Sequence, residues 1–105
     1  MHGLLDRDLK FILEAISKYP EIEEVIIFGS RAMGNYKKGS DIDLALKGEK
    51  VTRRVVRRLS DDLEEEYPLP YFFDIVSYND ISDEEFKHHI DNVGNSIWEK
   101  NTVLI

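Results

Sequence analysis

The start of the chain has apolar residues at the spacing of an amphipathic helix. Five of them lie at offsets of 0, 4, 7, 8 and 11: Leu5, Leu9, Ile12, Leu13 and Ile16. Steps of three and four residues bring side chains onto one face of a helix. The pattern therefore predicts a helix that buries this face and ends near Tyr19-Pro20.

Three later segments have the pattern of β-strands. Residues 25–28 are a β-branched and aromatic run that is cut short by Gly29, as expected for a strand buried on both faces. In residues 41–46, apolar and other side chains alternate, which predicts a strand with one apolar face. Residues 71–77 are apolar and aromatic except for Asp74 and Ser77, and we interpret them as the third strand.

Two more helices complete the predicted elements. One is indicated by apolar residues at helical spacing, followed by prolines at 68 and 70: Val51, Val55, Val56, Leu59 and Leu63. The other begins with a predicted capping box, Ser82 with Glu85, and a hydrophobic staple, Ile81 with Phe86. The order helix-strand-strand-helix-strand-helix predicts an α/β (α+β) fold, a small mixed sheet with helices packed against it.

Composition limits the classes of protein to which the chain can belong. It has 105 residues, no cysteine, and 14 Lys and Arg against 21 Asp and Glu, which gives a net charge of −7. We expect one domain over residues 1–105, located in the cytoplasm because disulfides are absent. The apolar runs are shorter than the ~20 residues of a membrane span. The negative charge argues against direct binding to nucleic acid through an overall basic surface.

The first candidate site is the turn at Gly29-Ser30, directly after a buried strand. Glycine lets a backbone approach a ligand closely, and amides at a helix start hold phosphate oxygens. The alternative is an ordinary strand-to-helix turn in which Ser30 is the cap.

The second candidate is the pair Asp41 and Asp43. Residues two apart in a strand share a face, so the two carboxylates project side by side. They could form a charged, solvent-exposed strand edge, or they could share a divalent cation, for which hard oxygen ligands suit Mg²⁺.

Asp74 adds a third carboxylate, in an otherwise apolar strand where we expect it to need a partner. That partner could be an arginine or backbone amides. Together with Asp41 and Asp43, however, Asp74 suggests a two-metal site for phosphoryl transfer.

These residues carry a resemblance to a known family. The runs GSRAMG from Gly29 and SDIDLA from Ser40 resemble the Gly-Ser…Asp-x-Asp signature of the DNA polymerase β-like nucleotidyltransferases. Within that superfamily the short chain is most similar to the minimal nucleotidyltransferases called MNT proteins. The resemblance implies that Asp41, Asp43 and Asp74 are the catalytic residues and bind two Mg²⁺ ions. It also implies that Gly29 and Ser30 hold the triphosphate of a nucleotide such as ATP.

Two neighbours of these motifs are further candidates for nucleotide binding. Arg31 could contact a phosphate or form a surface ion pair. Ser40 could contact phosphate or serve in a turn.

The resemblance also implies a partner, because the chain has no room for the acceptor-binding domain of larger relatives. MNT proteins act with HEPN-domain toxins, and some neutralise the toxin by transferring AMP from ATP to one of its tyrosines. We therefore expect an AMP-transferring antitoxin that forms a hetero-oligomer. The alternatives are an antitoxin that blocks its partner sterically and an enzyme that nucleotidylates a small molecule.

The remaining features of the sequence are a basic stripe, two adjacent histidines and an apolar end of the chain. Six basic residues between Lys47 and Arg58 form either a solvated helix face or a docking stripe for an acidic partner or RNA. His89 is predicted to pack and His88 to lie at the surface. Trp98 and the tail Val103-Leu104-Ile105 either cap the core or anchor an interface.

Overall fold

The computed structural model describes residues 2–100, which form four helices and four strands in mixed order. In chain order they are α1 (Asp6–Ser17), β1 (Glu24–Phe28), α2 (Gly29–Met33), β2 (Ile42–Lys47), α3 (Arg53–Asp61), β3 (Phe73–Ser77), α4 (Glu84–Val93) and β4 (Asn95–Glu99). A π-helical turn at Asp62–Glu66 follows α3, and a 3₁₀ turn at Tyr78–Asp80 follows β3. The predicted α/β (α+β) class is confirmed. None of the described helices is long and apolar enough to cross a membrane.

The strands form one mixed sheet in the order β3-β2-β1-β4. β1 is antiparallel to both β2 and β4, whereas β2 and β3 are parallel. The parallel pair follows from the crossover through α3, since parallel neighbours need a long connection. β4 was not predicted: Trp98 belongs to this strand, where it pairs with Val25 and packs against the core. The predicted role of residues 103–105 lies outside the described residues.

Strands β1, β2 and β3 divide their apolar side chains between two clusters, because successive residues point to opposite faces. Ile42, Leu44 and Leu46 of β2 face the larger cluster, which also contains buried residues of α1 and α3. Ala45 faces the smaller cluster with Ile90 of α4. The sheet is therefore a middle layer, with α1 and α3 on one side and α4 on the other.

The buried face of α1 differs from the predicted one. Leu5 is the N-cap residue and is 61% exposed, whereas Asp8 is only 1% exposed. Asp8 accepts a hydrogen bond of 2.8 Å from the hydroxyl of Tyr71. Helical spacing identified Ile12 and Ile16 correctly, but it could not reveal a buried carboxylate whose partner is 63 residues away.

Two element boundaries also differ from the predicted ones. The cap of α4 is Asp83 instead of Ser82, and its side chain accepts hydrogen bonds from the amides of Glu85 and Phe86. The third strand begins at Phe73 instead of residue 71, and Phe72 is 74% exposed. Both shifts occur where adjacent residues have similar local preferences, so only the packed structure distinguishes them.

Candidate functional site

The candidate site lies on one rung of the sheet, at the end of β1 and on the face that α4 covers. Asp43 of β2 is paired with Phe28 on one side and with Asp74 of β3 on the other. Paired residues on adjacent strands point to the same face, so the carboxylates of Asp43 and Asp74 are neighbours. The strand pairing thus brings together two predicted residues that are 31 positions apart.

Asp41 completes the set of predicted acids. It directly precedes β2, two residues before Asp43, and its side chain is exposed. Asp74 is also exposed, which corrects the expectation that it is a costly carboxylate inside an apolar strand. β3 is an edge strand whose α4 face is open at this point, so Asp74 needs no buried partner.

Charge connects the three acids although only Asp43 is partly buried. Burial raises the pKa of Asp43 above its usual range, and the negative charges of Asp74 and Asp41 raise it further. His89 of α4 has a smaller opposing effect and lowers the pKa of Asp43. Two carboxylates that disfavour the ionisation of a third form a site that a cation would stabilise.

The Gly29-Ser30 turn lies directly against Asp43. Gly29 has a positive φ of 71°, a conformation that glycine adopts without strain. A Cβ atom at this position would overlap the Asp43 Oδ2 atom. Two features therefore require glycine at this position: the positive φ of the backbone and the close approach of the Asp43 carboxylate.

The turn also starts α2, whose first amide groups have no partner within the helix. Its N-cap residue, Phe28, gives no side-chain hydrogen bond to the first turn. Ser30, which was considered as a cap, lies inside the helix, so that interpretation is wrong. The free amides and the Ser30 hydroxyl are groups that can bind phosphate oxygens.

Arg31 is buried, with 3% of its surface exposed, and forms no ion pair with the described residues, so the alternative of a surface ion pair is wrong. Its Nε and Nη2 atoms donate to the carbonyl oxygen of Ser40 at 3.1 and 2.9 Å, and Nη1 donates to that of His2 at 3.0 Å. The guanidinium group also lies over the rings of Tyr36 and Tyr71, at 5.3 and 5.0 Å from their centroids. Arg31 thus fixes the backbone directly before Asp41.

Ser40 has a turn role within the same loop. Its Oγ atom accepts a hydrogen bond of 2.8 Å from the amide of Lys37. The Ser40 amide donates to the Lys37 carbonyl at 2.9 Å, so the two residues close a tight turn. Together with the contacts of Arg31, this turn sets the position at which the acid pair begins.

His89 is a neighbour of the site that the sequence did not connect with the acids. Its ring stands edge-on to Phe28 at 6.1 Å between centroids, which confirms the predicted packing role. The charge of the ring lowers the pKa of Asp43, so the imidazole is close enough to act on the site electrostatically. Helical spacing placed His89 on the inner face of its helix, but which strand residue it meets depends on how α4 lies on the sheet.

The donor set fits a hard divalent cation. All three side chains offer carboxylate oxygens, the ligands that Mg²⁺ prefers. Within residues 2–100, no three Asp, Glu or His side chains already stand close enough together to form a complete metal site. The match between these residues and a divalent cation therefore depends on the chemistry of the donor atoms and on the mutual repulsion of Asp41, Asp43 and Asp74.

Comparison with solved structures identifies related folds. A toxin–antitoxin crystal structure with AMP-PNP matches with a TM-score of 0.74 and 19% identity, over 92% of this chain and 76% of that chain. The complex of a tri-AMPylated Shewanella oneidensis HEPN toxin with its MNT antitoxin matches with a TM-score of 0.68 and 17% identity, over 94% and 73% of the two chains. The toxin–antitoxin MntA-HepT matches with a TM-score of 0.68 and 16% identity, over 90% and 73%.

The family assignment comes from the sequence itself. None of the curated proteins compared with this chain matches it. The family model described as polymerase beta, nucleotidyltransferase matches residues 10–103 and so includes the Gly-Ser turn and all three acids. The chain therefore belongs to the polymerase beta nucleotidyltransferase family, as its two motifs predicted.

Proposed function

We propose that this chain transfers AMP from ATP to a hydroxyl group, a tyrosine of a HEPN-domain toxin, and acts as the antitoxin of that pair. The observation that carries the proposal is the rung that places Asp43 beside Asp74 with Gly29 against its carboxylate. A phosphate-binding turn beside paired acids is what nucleotidyl transfer requires. The similarity to toxin–antitoxin structures supports the choice of partner.

In this mechanism the Gly29-Ser30 turn binds the triphosphate. The amides of the first turn of α2 and the Ser30 hydroxyl donate to phosphate oxygens. Because Gly29 has no side chain, the turn lies against Asp43, and phosphates bound at the turn would lie beside the acids. The turn therefore aligns the α-phosphate of ATP with the carboxylates.

The acids then act on two oxygens, the one of the attacking hydroxyl and the one that leaves with pyrophosphate. Asp41, Asp43 and Asp74 would hold two Mg²⁺ ions, which supply positive charge to the attacking and leaving oxygens. Asp74 lies at the open edge of the sheet and orients the acceptor hydroxyl or takes its proton. The hydroxyl oxygen bonds to the α-phosphorus, the bond to the bridging oxygen breaks, and pyrophosphate leaves.

Arg31 and Ser40 support this arrangement from the preceding loop. Arg31 is anchored to two backbone carbonyls and two aromatic rings, so we assign it the positioning of residue 41. Ser40 closes the turn at the same place and lies next to Asp41; its Oγ atom accepts from the Lys37 amide, which leaves the hydroxyl proton to donate to a phosphate.

The test measures label transfer to a purified HEPN partner in the presence of Mg²⁺ and ATP labelled at the α-phosphate. We expect Asp43→Asn to reduce transfer about a thousandfold, because it removes charge from the centre of the site. Complex formation with the partner is expected to persist. Asp6→Asn is the matched control, since Asp6 is an exposed acid of α1 outside the site.

Two outcomes would contradict the proposal in different ways. If Asp43→Asn transfers AMP as well as the wild-type chain does, these acids are not catalytic. If the variant transfers no AMP but still protects cells fully from the partner, neutralisation is steric. Intact mass of the partner after the reaction gives the number of AMP groups.

A further inference from the structure

A cleft of about 430 Å³ lies beside the candidate site, between α3 and the edge strand β3. Asp74 lines both the cleft and the site, so a group bound in the cleft is next to the proposed acceptor position. Both walls contribute polar and apolar side chains. The lining residues are Arg53, Val56, Arg57, Ser60, Asp61, Phe73, Asp74, Ile75, Ser77 and Asp80.

The strand side of the cleft presents backbone groups that do not bond to β2. In the parallel pair, Ile42 donates to the carbonyl of Phe72, so alternate residues of β3 bond to β2. The other set, Phe73, Ile75 and Ser77, directs its N–H and C=O groups away from the sheet. The amide of Phe73 confirms this direction, because it donates to Glu64 Oε2 at 3.2 Å on the outer side.

One buried side chain in the cleft wall also lacks a partner. Ser77 is 8% exposed, and its hydroxyl makes no hydrogen bond to any residue in the range 2–100. A buried hydroxyl without a partner is costly, and most are satisfied. Ser77 belongs to the same alternate set of β3 residues as Ile75, whose backbone groups point away from the sheet.

The helix side of the cleft adds two cations. Arg53 and Arg57 are exposed and form no ion pair among the described residues, where the salt bridge found joins Arg7 and Asp8. The structure thereby divides the basic stripe noted in the sequence. Arg54 and Arg58 lie on another surface of α3, beside Tyr19.

We propose that this cleft is the acceptor-docking site and that an extended polypeptide segment of the acceptor protein binds there as a fifth strand beside β3. The backbone of the segment would pair with Ile75 and Ser77. One of its acidic side chains would contact Arg53 and Arg57. The acceptor hydroxyl of the segment would reach Asp74. This inference rests on the proposed function and adds the surface through which the acceptor arrives.

A polypeptide fits this cleft better than RNA does. Three carboxylates line it, from Asp61, Asp74 and Asp80, and they would repel a phosphate backbone. A peptide backbone is uncharged and offers the donors and acceptors that a free strand edge requires. RNA binding is therefore the competing outcome of the test.

The experiment measures binding without nucleotide, so that it does not depend on catalysis. The probe is a short peptide of alternating valine and threonine with a central tyrosine and one flanking glutamate. We expect slower hydrogen exchange at the amides of Ile75 and Ser77, with no change at Asn95–Glu99, the strand at the opposite edge. Peptides N-methylated on one alternate set of residues should lose binding, whereas those methylated on the other set should retain it.

Charge reversal on α3 tests the helix side of the cleft. Arg53→Glu with Arg57→Glu is expected to weaken peptide binding about tenfold. Arg54→Glu with Arg58→Glu makes the same change on the same helix, away from the cleft, and should leave binding unchanged. Thermal melting of both double variants establishes that they fold.

The outcomes separate this inference from the proposed function. Equal effects of the two double variants, protection at β4, or binding of a short single-stranded RNA in place of the peptide would overturn the docking site. Normal docking without transfer of AMP to the tyrosine would leave the docking site intact and contradict the proposed function.

Discussion

The two faces of the sheet differ in how completely helices cover them. On one face, α1 and α3 bury a large continuous cluster that includes residues of β1, β2 and β3. On the other face, α4 covers a cluster with only four buried members. The candidate acids lie beside this smaller cluster, at its open end. The well-covered face supplies stability, which allows the other face to keep charged groups uncovered.

Strand β2 shows this contrast between adjacent residues. Leu44 is fully buried in the large cluster, and its neighbour Asp43 points to the opposite face. Asp43 has like charges nearby and a raised pKa, so it contributes little to stability. The same strand therefore serves the core with one set of side chains and the site with the other.

The largest effect on stability is expected for Leu44→Ala, which would lower the free energy of unfolding by about 3 kcal/mol because it leaves a cavity in the large cluster. Urea denaturation measures this change. Asp43→Asn should leave stability unchanged or slightly higher, since it removes a repelled charge. If Asp43→Asn destabilised the chain as much as Leu44→Ala does, the division between the two faces would be wrong.

A smaller effect is expected for Gly29→Ala, which would cost about 1–2 kcal/mol from the left-handed backbone conformation. Gly34→Ala is the matched control, because Gly34 also has a positive φ but has nothing within 4 Å of a Cβ atom. Only Gly29→Ala should displace Asp43 and weaken the binding of a fluorescent ATP analogue. Equal losses of nucleotide affinity in both variants would contradict the close contact between the turn and the acid.

The smallest effect concerns the rim of the well-covered face, where the Tyr19 hydroxyl donates a hydrogen bond to Asp62. Burial and this hydrogen bond raise the pKa of Tyr19 to about 12, from a usual value of 10.0. We expect Tyr19→Phe to lower stability by about 1 kcal/mol at neutral pH. Denaturation of both proteins across a pH series measures the difference.

The sign of the pH effect follows from the raised pKa of Tyr19. Below pH 10.0 the phenol is protonated in both the folded and the unfolded state, so its stabilising contribution is fully present. Between pH 10.0 and about 12 the unfolded state loses its proton first, and the advantage over Tyr19→Phe falls. A constant difference up to pH 12 would show that Tyr19 keeps no proton preferentially in the folded state.

Local patterns predicted most of the fold but missed particular elements. The alternation in residues 41–46 and the apolar run at 25–28 identified β1 and β2, because burial on a sheet imposes those patterns. β4 was missed since only Ile97 and Trp98 in it are apolar and partly buried. Its existence depends on pairing with β1, which a local pattern cannot show.

The candidate site was predicted in its residue types but not in its geometry. The motifs around Gly29 and Asp41 are local, so the sequence alone contained them. The sequence left Arg31 as either a phosphate ligand or a member of a surface ion pair, and it could not show that the side chain is buried against backbone carbonyls. The electrostatic effect of His89 on Asp43 was not predictable either, because it depends on the packing of α4 on the sheet.

The sequence by itself determined the secondary-structure periodicity, the family and the three acids. These follow from side-chain chemistry and from short-range spacing. Tertiary structure decided the register that sets Asp43 beside Asp74, the edge position of β3, and the separation of Arg53 and Arg57 from Arg54 and Arg58. Those properties depend on which strand and helix surfaces meet, and contacts between distant segments of a chain fix them only when the core is packed.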